Sequence, residues 1–347
     1  MGESSEMAFQ GTIGIVGGGS WGTALAHLVG GHGHAVCHWM RDAGTVQEVN
    51  QQHTNSRYLP GMALPLTVKA TQDLREVAES CRLILVVVPS HSFRGVMREL
   101  GQWLDGGHML VHATKGFEPG TFKRMSTLIQ EETCVRQLGV LSGPNLAREV
   151  ALGQPSATVL ASRFPAVIEA ARSVLVGKTF RVYVNTDVVG TEVGGALKNI
   201  LAIASGIVTG LEFGENTKAL LLTRGLVEMA RLGVQMGAVP ATFSGLSGIG
   251  DLMATCFSPL SRNHQVGLRL ARGESLDQIV RSMNQVAEGI KTTQSVHAYA
   301  LAQGVYMPIT EGVYRILHEG TPPQEVLGQL MENSRFVFEH DPEFSLS

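Results

Sequence analysis

The sequence predicts an α/β protein in two parts: a mainly parallel sheet with helices over the first half, then a second, all-helical domain. Three observations carry this expectation. Short apolar runs alternate with helical or loop segments as far as Val184 and then stop. A glycine-rich turn, Gly17, Gly19 and Gly22, links the first run to a helix. Beyond Val184, apolar residues recur three and four apart, most clearly over residues 189–211.

Composition narrows the field of functions. Hydrophobic residues make up 44% and charged residues 16% of the 347, which excludes disorder for the bulk of the chain. A formal charge of −3 with scattered lysines and arginines offers no footprint for nucleic acid or an anionic membrane, so a small molecule is the expected partner. Cys37, Cys81, Cys134 and Cys256 lie far apart in sequence without a CxxC pair, so neither a zinc site nor a disulfide framework is expected, and a reducing, cytoplasmic setting fits. No apolar run is expected to reach the ~18 residues that span a bilayer, because Lys198 and Glu212 bracket the greasiest one. Residues 1–10 are short, polar and acidic, unlike a secretory signal, and are expected to form a flexible tail.

Residues 12–16 read as a strand, residues 35–39 as a second, and the helix between them opens on GGGSWGTALA. In that context Gly17, Gly19 and Gly22 satisfy the GxGxxG of a Rossmann-type dinucleotide site, the alternative being an ordinary glycine-rich turn. The first turns the strand, the second lets backbone approach a pyrophosphate, and the third seats helix on sheet. Ser20 and Trp21 open the helix and would flank the phosphates. After the second strand, Arg41 suits the 2′-phosphate of NADP, whereas Asp42 suits the ribose hydroxyl of NAD or caps the following turn. Further strands are expected at residues 83–88, 109–113, 140–142, 157–161 and 182–184. Ligands bind beyond the carboxyl ends of such strands, which directs attention to Lys115 and to Gly143, Pro144 and Asn145. Lys115 suits an anion but is equally an ordinary loop lysine. Pro144 fits a helix's first turn, which would leave N–H groups from Gly143 to Ala147 facing the ligand.

The dinucleotide-binding domain is expected to span residues 11–187 and the helical catalytic domain residues 188–335, with a tail over 336–347. Thr186 or Asp187 would cap the long helix. One face of that helix carries Thr191, Gly194, Gly195, Ala202, Ser205 and Thr209 around a single amine, Lys198. A partly desolvated lysine on such a face can exchange protons; the plain alternative is a lysine that snorkels to the surface. A second helix over 217–236 bears the charged row Arg224, Glu228 and Arg231, which either knits helices together or faces water. Gly245, Gly248 and Gly250 then precede Asp251, the carboxylate expected against Lys198. Ser261, Arg262 and Asn263 suit a phosphate, and serve equally well as a polar helix cap. Residues 268–332 read as three or four more helices.

Taken in order, GGGSWGTALA, ATKGFE, SGPNLAREVA, GGALKNILAIASGIVTGL, SGIGDLMATC, SPLSRNHQVG and VAEGIKT closely resemble NAD(P)-dependent glycerol-3-phosphate dehydrogenases of the bacterial type, from about Ile13 to about Ser334. The resemblance implies reversible reduction of dihydroxyacetone phosphate to sn-glycerol 3-phosphate for phospholipid synthesis. It implies that Lys198 transfers the proton, with Asp251 and Lys115 in the catalytic group, and that Lys115, Gly143, Asn145, Asp251, Ser261, Arg262 and Asn263 surround the substrate. It places Ser20, Trp21, Arg41, Lys115, Ala147, Arg262, Val286 and Glu288 at the cofactor, NADP in preference to NAD. No metal is required, since the lysine polarises the carbonyl. A homodimer without membrane insertion is expected. The chain departs from its relatives at Asn145, where serine or threonine is common, and at Phe257, where threonine is frequent. Two other readings remain: a two-domain hydroxyacid or sugar-acid dehydrogenase, and a non-catalytic nucleotide-binding regulatory module.

Overall fold

The structure is a computed structural model that describes residues 9–283 and 287–332. The expected tails, residues 1–10 and 336–347, fall almost entirely outside the described residues, as does Val286. Its contacts divide the chain into two units, residues 1–192 and 193–347.

Among the described residues the first unit holds eight strands: β1 (Thr12–Val16), β2 (Val36–Trp39), β3 (Val68–Thr71), β4 (Cys81–Val86), β5 (Met109–His112), β6 (Gln137–Ser142), β7 (Ser156–Ser162) and β8 (Phe180–Asn185). Seven helices alternate with them: α1 (Ser20–Gly31), α2 (Ala43–Gln52), α3 (Leu74–Ser80), α4 (Ser90–Gly101), α5 (Met125–Glu132), α6 (Ala147–Ala151) and α7 (Pro165–Leu175). The strands form one sheet in the order β3-β2-β1-β4-β5-β6-β7-β8. Neighbours are parallel except β6 and β7. The order reverses between β1 and β4, which creates the crevice where such sheets take nucleotides.

Period-two alternation explains the burial. Ile13, Ile15, Leu83 and Leu85 point to one face and pack with Leu25 and Val29 of α1 and Val167 and Val174 of α7. Val16, Ile84 and Val86 point to the other, against Phe93 and Met97 of α4 and Leu128 of α5. A sheet covered on both faces needs strands apolar throughout, which is why these runs stand out in the sequence. Cys37 and Cys81, distant in sequence, lie on that second face, and neither is in a disulfide.

From α8 (Val188–Gly210) onward the chain is helical: α9 (Glu215–Gln235), α10 (Asp251–Phe257), α11 (Arg262–Ala271), α12 (Leu276–Ser282), α13 (Glu288–Gln303), α14 (Pro308–Tyr314) and α15 (Pro323–Glu332). Asp187 supplies the cap of α8, its Oδ1 accepting from the N–H of Gly190 at 2.8 Å. Contrary to the expectation from sequence, α8 is long and apolar enough to cross a membrane by length and composition; 89% of its most apolar window is buried within the protein. Glycines explain how it packs. A Cβ on Gly206 would stand 2.0 Å from the carbonyl oxygen of His264, and one on Gly267 would stand 1.9 Å from that of Ile203, so α8 and α11 meet backbone to backbone. In the charged row, Glu228 and Arg231 are buried and join α9 to the start of α14. The Glu228 carboxylate accepts from the N–H groups of Ile309 at 2.6 Å and Thr310 at 3.1 Å, and Arg231 donates to the carbonyl of Tyr306. Burial pushes the Glu228 carboxyl up to about 7 despite those donors.

Glu192, in the first unit, shows the opposite balance. Its buried carboxylate accepts from the Ser126 N–H at 2.8 Å, the Ser126 hydroxyl at 2.7 Å and Arg124 Nη1 at 2.6 Å, with His112 Nε2 3.2 Å away. Burial alone would raise this acid, but the His112 contact, the Arg124 charge and the Ser126 N–H hold it at about 2 instead of the ordinary 4.5. Such a group contributes stability that is complete above pH 4.5 and lost as pH falls towards 2, about 3 kcal/mol in all. Glu192→Gln is therefore expected to destabilise the chain by about that amount near neutrality and by clearly less below about pH 3. Urea midpoints of parent and variant at each pH measure the difference, which cancels the contrary trend from Glu228 because both proteins carry it.

Candidate active site

The glycine turn lies where the sequence places it. Gly17 has φ +130°, and a Cβ there would stand 2.3 Å from the Val87 carbonyl oxygen, so only glycine fits between β1 and β4. A Cβ on Gly22 would stand 1.9 Å from the Gly17 carbonyl oxygen, and its absence lets α1 begin directly on the turn. Gly19 faces open space and is the N-cap of α1, with no side chain capping the first turn. A bare backbone leading into an uncapped helix start is the cradle a pyrophosphate requires, and these residues fit a dinucleotide. Ser20 and Trp21 are half-buried in that first turn. Trp21 and Ala147, the first residue of α6, pack on the same small cluster of Ala24, Leu59 and Ala151, so Ala147 stands beside the start of α1.

Arg41 is exposed directly beyond β2, its carbonyl accepting from Gln72 Nε2 at 2.9 Å. Asp42 caps α2, accepting from the N–H of Thr45 at 2.8 Å and its hydroxyl at 2.7 Å, which holds its carboxyl below the usual range. Lys115, past the end of β5, donates to the Gly143 carbonyl at 3.1 Å, so the exits of β5 and β6 are tied together. Asn145 Nδ2 donates to the Ala157 carbonyl at 2.9 Å on β7. Helix α6 opens at Ala147 with Leu146 as its N-cap, so Pro144 lies in the turn before it and not in its first turn as the sequence suggests.

The second unit gathers the other candidates. Gly194 permits α8 to touch the turn at residues 246–250, since a Cβ there would stand 2.4 Å from the Ser247 carbonyl oxygen. One helical turn further along the same face, Lys198 Nζ donates to Asp251 Oδ1 and to Thr255 Oγ1, each at 2.6 Å. Lys198 is 7% exposed and Asp251 1%, so the snorkelling alternative is excluded. Thr255 is absent from the expected set. The Thr255 hydroxyl in turn donates to the Asp251 carbonyl at 2.7 Å, and the spacing of four between Asp251 and Thr255 on one helix is the signal that reveals it. Beside the pair, burial pushes the Cys256 thiol up to about 12, which rules it out as a nucleophile near neutrality.

Ser261 is the N-cap of α11, its hydroxyl accepting from the His264 N–H at 3.3 Å, so this residue meets the helix-cap description. Asn263 Nδ2 donates to Asn199 Oδ1 at 2.9 Å, and Asn263 Oδ1 accepts from the Gly289 N–H at 3.0 Å. This amide joins the neighbour of Lys198 to the start of α13, where Glu288 is half-buried. Arg262 is exposed on the first turn of α11 between these two. The candidates thus form two groups: Gly17, Gly19, Ser20, Trp21, Gly22, Arg41, Lys115, Gly143, Asn145 and Ala147 on the first unit, and Lys198, Asp251, Ser261, Arg262, Asn263 and Glu288 on the second.

Comparison with known proteins adds an independent line. The family profile for the NAD-dependent glycerol-3-phosphate dehydrogenase N-terminus matches residues 12–167, and that for the C-terminus matches residues 187–328. A glycerol-3-phosphate dehydrogenase [NAD(P)+] of Nitratidesulfovibrio vulgaris is 47% identical over 321 residues, covering 92% of this chain and 97% of the relative. One from Acinetobacter baumannii is 46% identical, covering 94% and 93%. The crystal structure of glycerol-3-phosphate dehydrogenase from Coxiella burnetii superposes with a TM-score of 0.89 at 40% identity over 93% of this chain and 99% of that one. Both halves match in order and over nearly their full length: the chain belongs to the NAD-dependent glycerol-3-phosphate dehydrogenase family.

Proposed function

We propose that the chain interconverts dihydroxyacetone phosphate and sn-glycerol 3-phosphate with NAD(P), feeding glycerophospholipid synthesis. The observation that carries this reading is the buried Lys198 amine held between Asp251 and Thr255, in a chain of this family. A bound dihydronicotinamide supplies the hydride. Lys198 Nζ holds the proton that the substrate oxygen takes as it becomes an alcohol, and returns to its charged form from solvent. Asp251 and Thr255 fix the amine in place, so little reorganisation is needed at the moment of transfer. Lys115, Gly143, Asn145, Ser261, Arg262 and Asn263 surround the substrate in this reading, with Arg262 supplying the forked cation for its phosphate.

Gly17, Gly19, Ser20, Trp21, Gly22, Arg41, Ala147, Arg262, Val286 and Glu288, with Lys115, belong to the cofactor. The exposed Arg41 supports NADP over NAD, because Asp42 spends one carboxylate oxygen on its helix cap. The functional division runs at 187 and 188, near the gap between the two family profiles. We further propose a cytoplasmic homodimer, which the exposed Phe257 and Leu260 support as surface that a second copy would cover.

The test is the loss of reduced-nicotinamide absorbance on adding dihydroxyacetone phosphate, run with NADH and NADPH side by side; no loss with either defeats the proposal. Arg262→Ala is expected to raise the KM for dihydroxyacetone phosphate at least about tenfold, with a much smaller change for the cofactor. Steady-state kinetics decide, and a loss of stability alone would assign Arg262 to the helix start.

A further inference from the structure

Gly17, Gly18 and Gly19 are consecutive, the loosest backbone a chain can offer, yet a pyrophosphate cradle must hold its peptide planes in one orientation. Two buried side chains address this from inside the fold. His38, on β2 and 0% exposed, places Nε2 2.9 Å from the Gly17 carbonyl oxygen. A carbonyl only accepts, so Nε2 carries the hydrogen. Asn55, 1% exposed and in the segment after α2, donates through Nδ2 to the Gly18 carbonyl at 3.1 Å and to the Thr23 hydroxyl at 2.8 Å.

Both carbonyls of the turn are thereby held inward. Rotating either peptide plane would present an oxygen to the phosphates and would also leave a buried donor without a partner, a double penalty. Burial keeps the imidazole neutral, lowering its pKa to about 4 against the pull of the Gly17 carbonyl, so no charge builds up behind the turn across the physiological range. The space is exclusive as well: a Cβ on Gly22 would stand 3.6 Å from His38 Nε2 and far closer to the Gly17 oxygen, so turn, helix start and imidazole fit as one unit.

We propose that His38 and Asn55 are positioning residues for the cofactor pyrophosphate, holding the Gly17 and Gly18 carbonyls inward so that the turn meets the anion with its N–H groups. The proposal rests on the reading of the glycine turn as a dinucleotide site. Neither side chain touches the cofactor; each acts through the backbone.

The experiment is calorimetric titration of the purified full chain with NADPH and with ADP-ribose, which has the pyrophosphate without the nicotinamide, beside steady-state kinetics. His38→Val removes the donor and keeps a strand-forming side chain. It is expected to weaken NADPH and ADP-ribose by the same factor, about tenfold, with kcat at saturating cofactor within about twofold of the parent. His38→Gln, which offers an N–H at similar reach, is expected to recover most of that loss. Asn55→Ala is expected to act in the same direction and carries the test should His38→Val fail to fold. Val29→Ala, a buried change on α1 away from the turn, is the stability control. Unchanged affinities in both His38→Val and Asn55→Ala, with melting temperatures lowered no differently from Val29→Ala, would overturn the proposal and leave the two as core filling. A parent that binds neither ligand would instead overturn the dinucleotide reading itself.

Discussion

Lys198→Ala is expected to lower kcat by roughly 10²- to 10⁴-fold, the range for removal of a positioned proton donor, while the affinity for NADPH stays near that of the parent. The variant also leaves Asp251 buried without its cation, which costs about 3–5 kcal/mol. A fall in activity therefore needs to be separated from a fall in folded protein. Lys198→Arg makes the separation, because guanidinium keeps the charge and the contact with Asp251 but does not release its proton. Stability is expected to return with arginine and turnover is not. If arginine restores turnover to within about tenfold, the site works by charge alone and the proton has another source. Single-turnover kinetics with calorimetric binding of NADPH, and thermal melts of all three proteins, provide the comparison.

That experiment addresses a site whose parts differ in how plainly the sequence displays them. The glycine turn is legible because a positive φ at Gly17 and a close approach at Gly22 leave only glycine possible at those two positions, and Gly19 completes the spacing as a bare helix start that a phosphate can approach. The long helix is legible because a run from Val188 to Gly210 carries a single lysine, and the reading of residues 189–211 misses its ends by one residue. Strand β3 escaped, since its VKAT is an edge segment of which only Val68 and Ala70 are buried, too little alternation to stand above its surroundings. The antiparallel course of β7 escaped for another reason: period-two patterning records which face is buried and carries no direction.

Partnerships across the fold were legible only where charge demanded them. A buried ammonium requires a carboxylate, and Asp251 follows a glycine cluster that lets backbone come close. Thr255, Asn199, His38 and Asn55 carry no such demand. Each is an ordinary polar residue in the sequence, and its role exists only once a strand register or helix face brings a carbonyl or an amide opposite it. Ser261 and Asn263 illustrate the converse. A motif that suits a phosphate is also built into the helix that presents it, Ser261 through its cap and Asn263 through Asn199 and Gly289.

The same coupling of packing to chemistry predicts the second large effect. Gly194→Val would place a side chain 2.4 Å from the Ser247 carbonyl oxygen, an atom of the backbone that cannot swing aside. Helix α8 must lift off the turn at residues 246–250, at a cost of about 1–3 kcal/mol in overpacking. The lift falls one helical turn from Lys198, and two hydrogen bonds of 2.6 Å do not survive a displacement of even ~1 Å. Gly194→Val is therefore expected to reduce kcat by at least about 100-fold while NADPH affinity is kept. Gly206→Val introduces an equivalent clash, 2.0 Å from the His264 carbonyl oxygen, but three turns further along, against α11. It moves the helix that begins at Arg262 and is expected to raise the KM for dihydroxyacetone phosphate more than it lowers kcat. Two valines of similar cost in stability would then give opposite kinetic signatures. If both variants merely lose stability, with the parent's kcat and KM in the folded fraction, glycine packing along α8 serves the fold and does not aim the lysine.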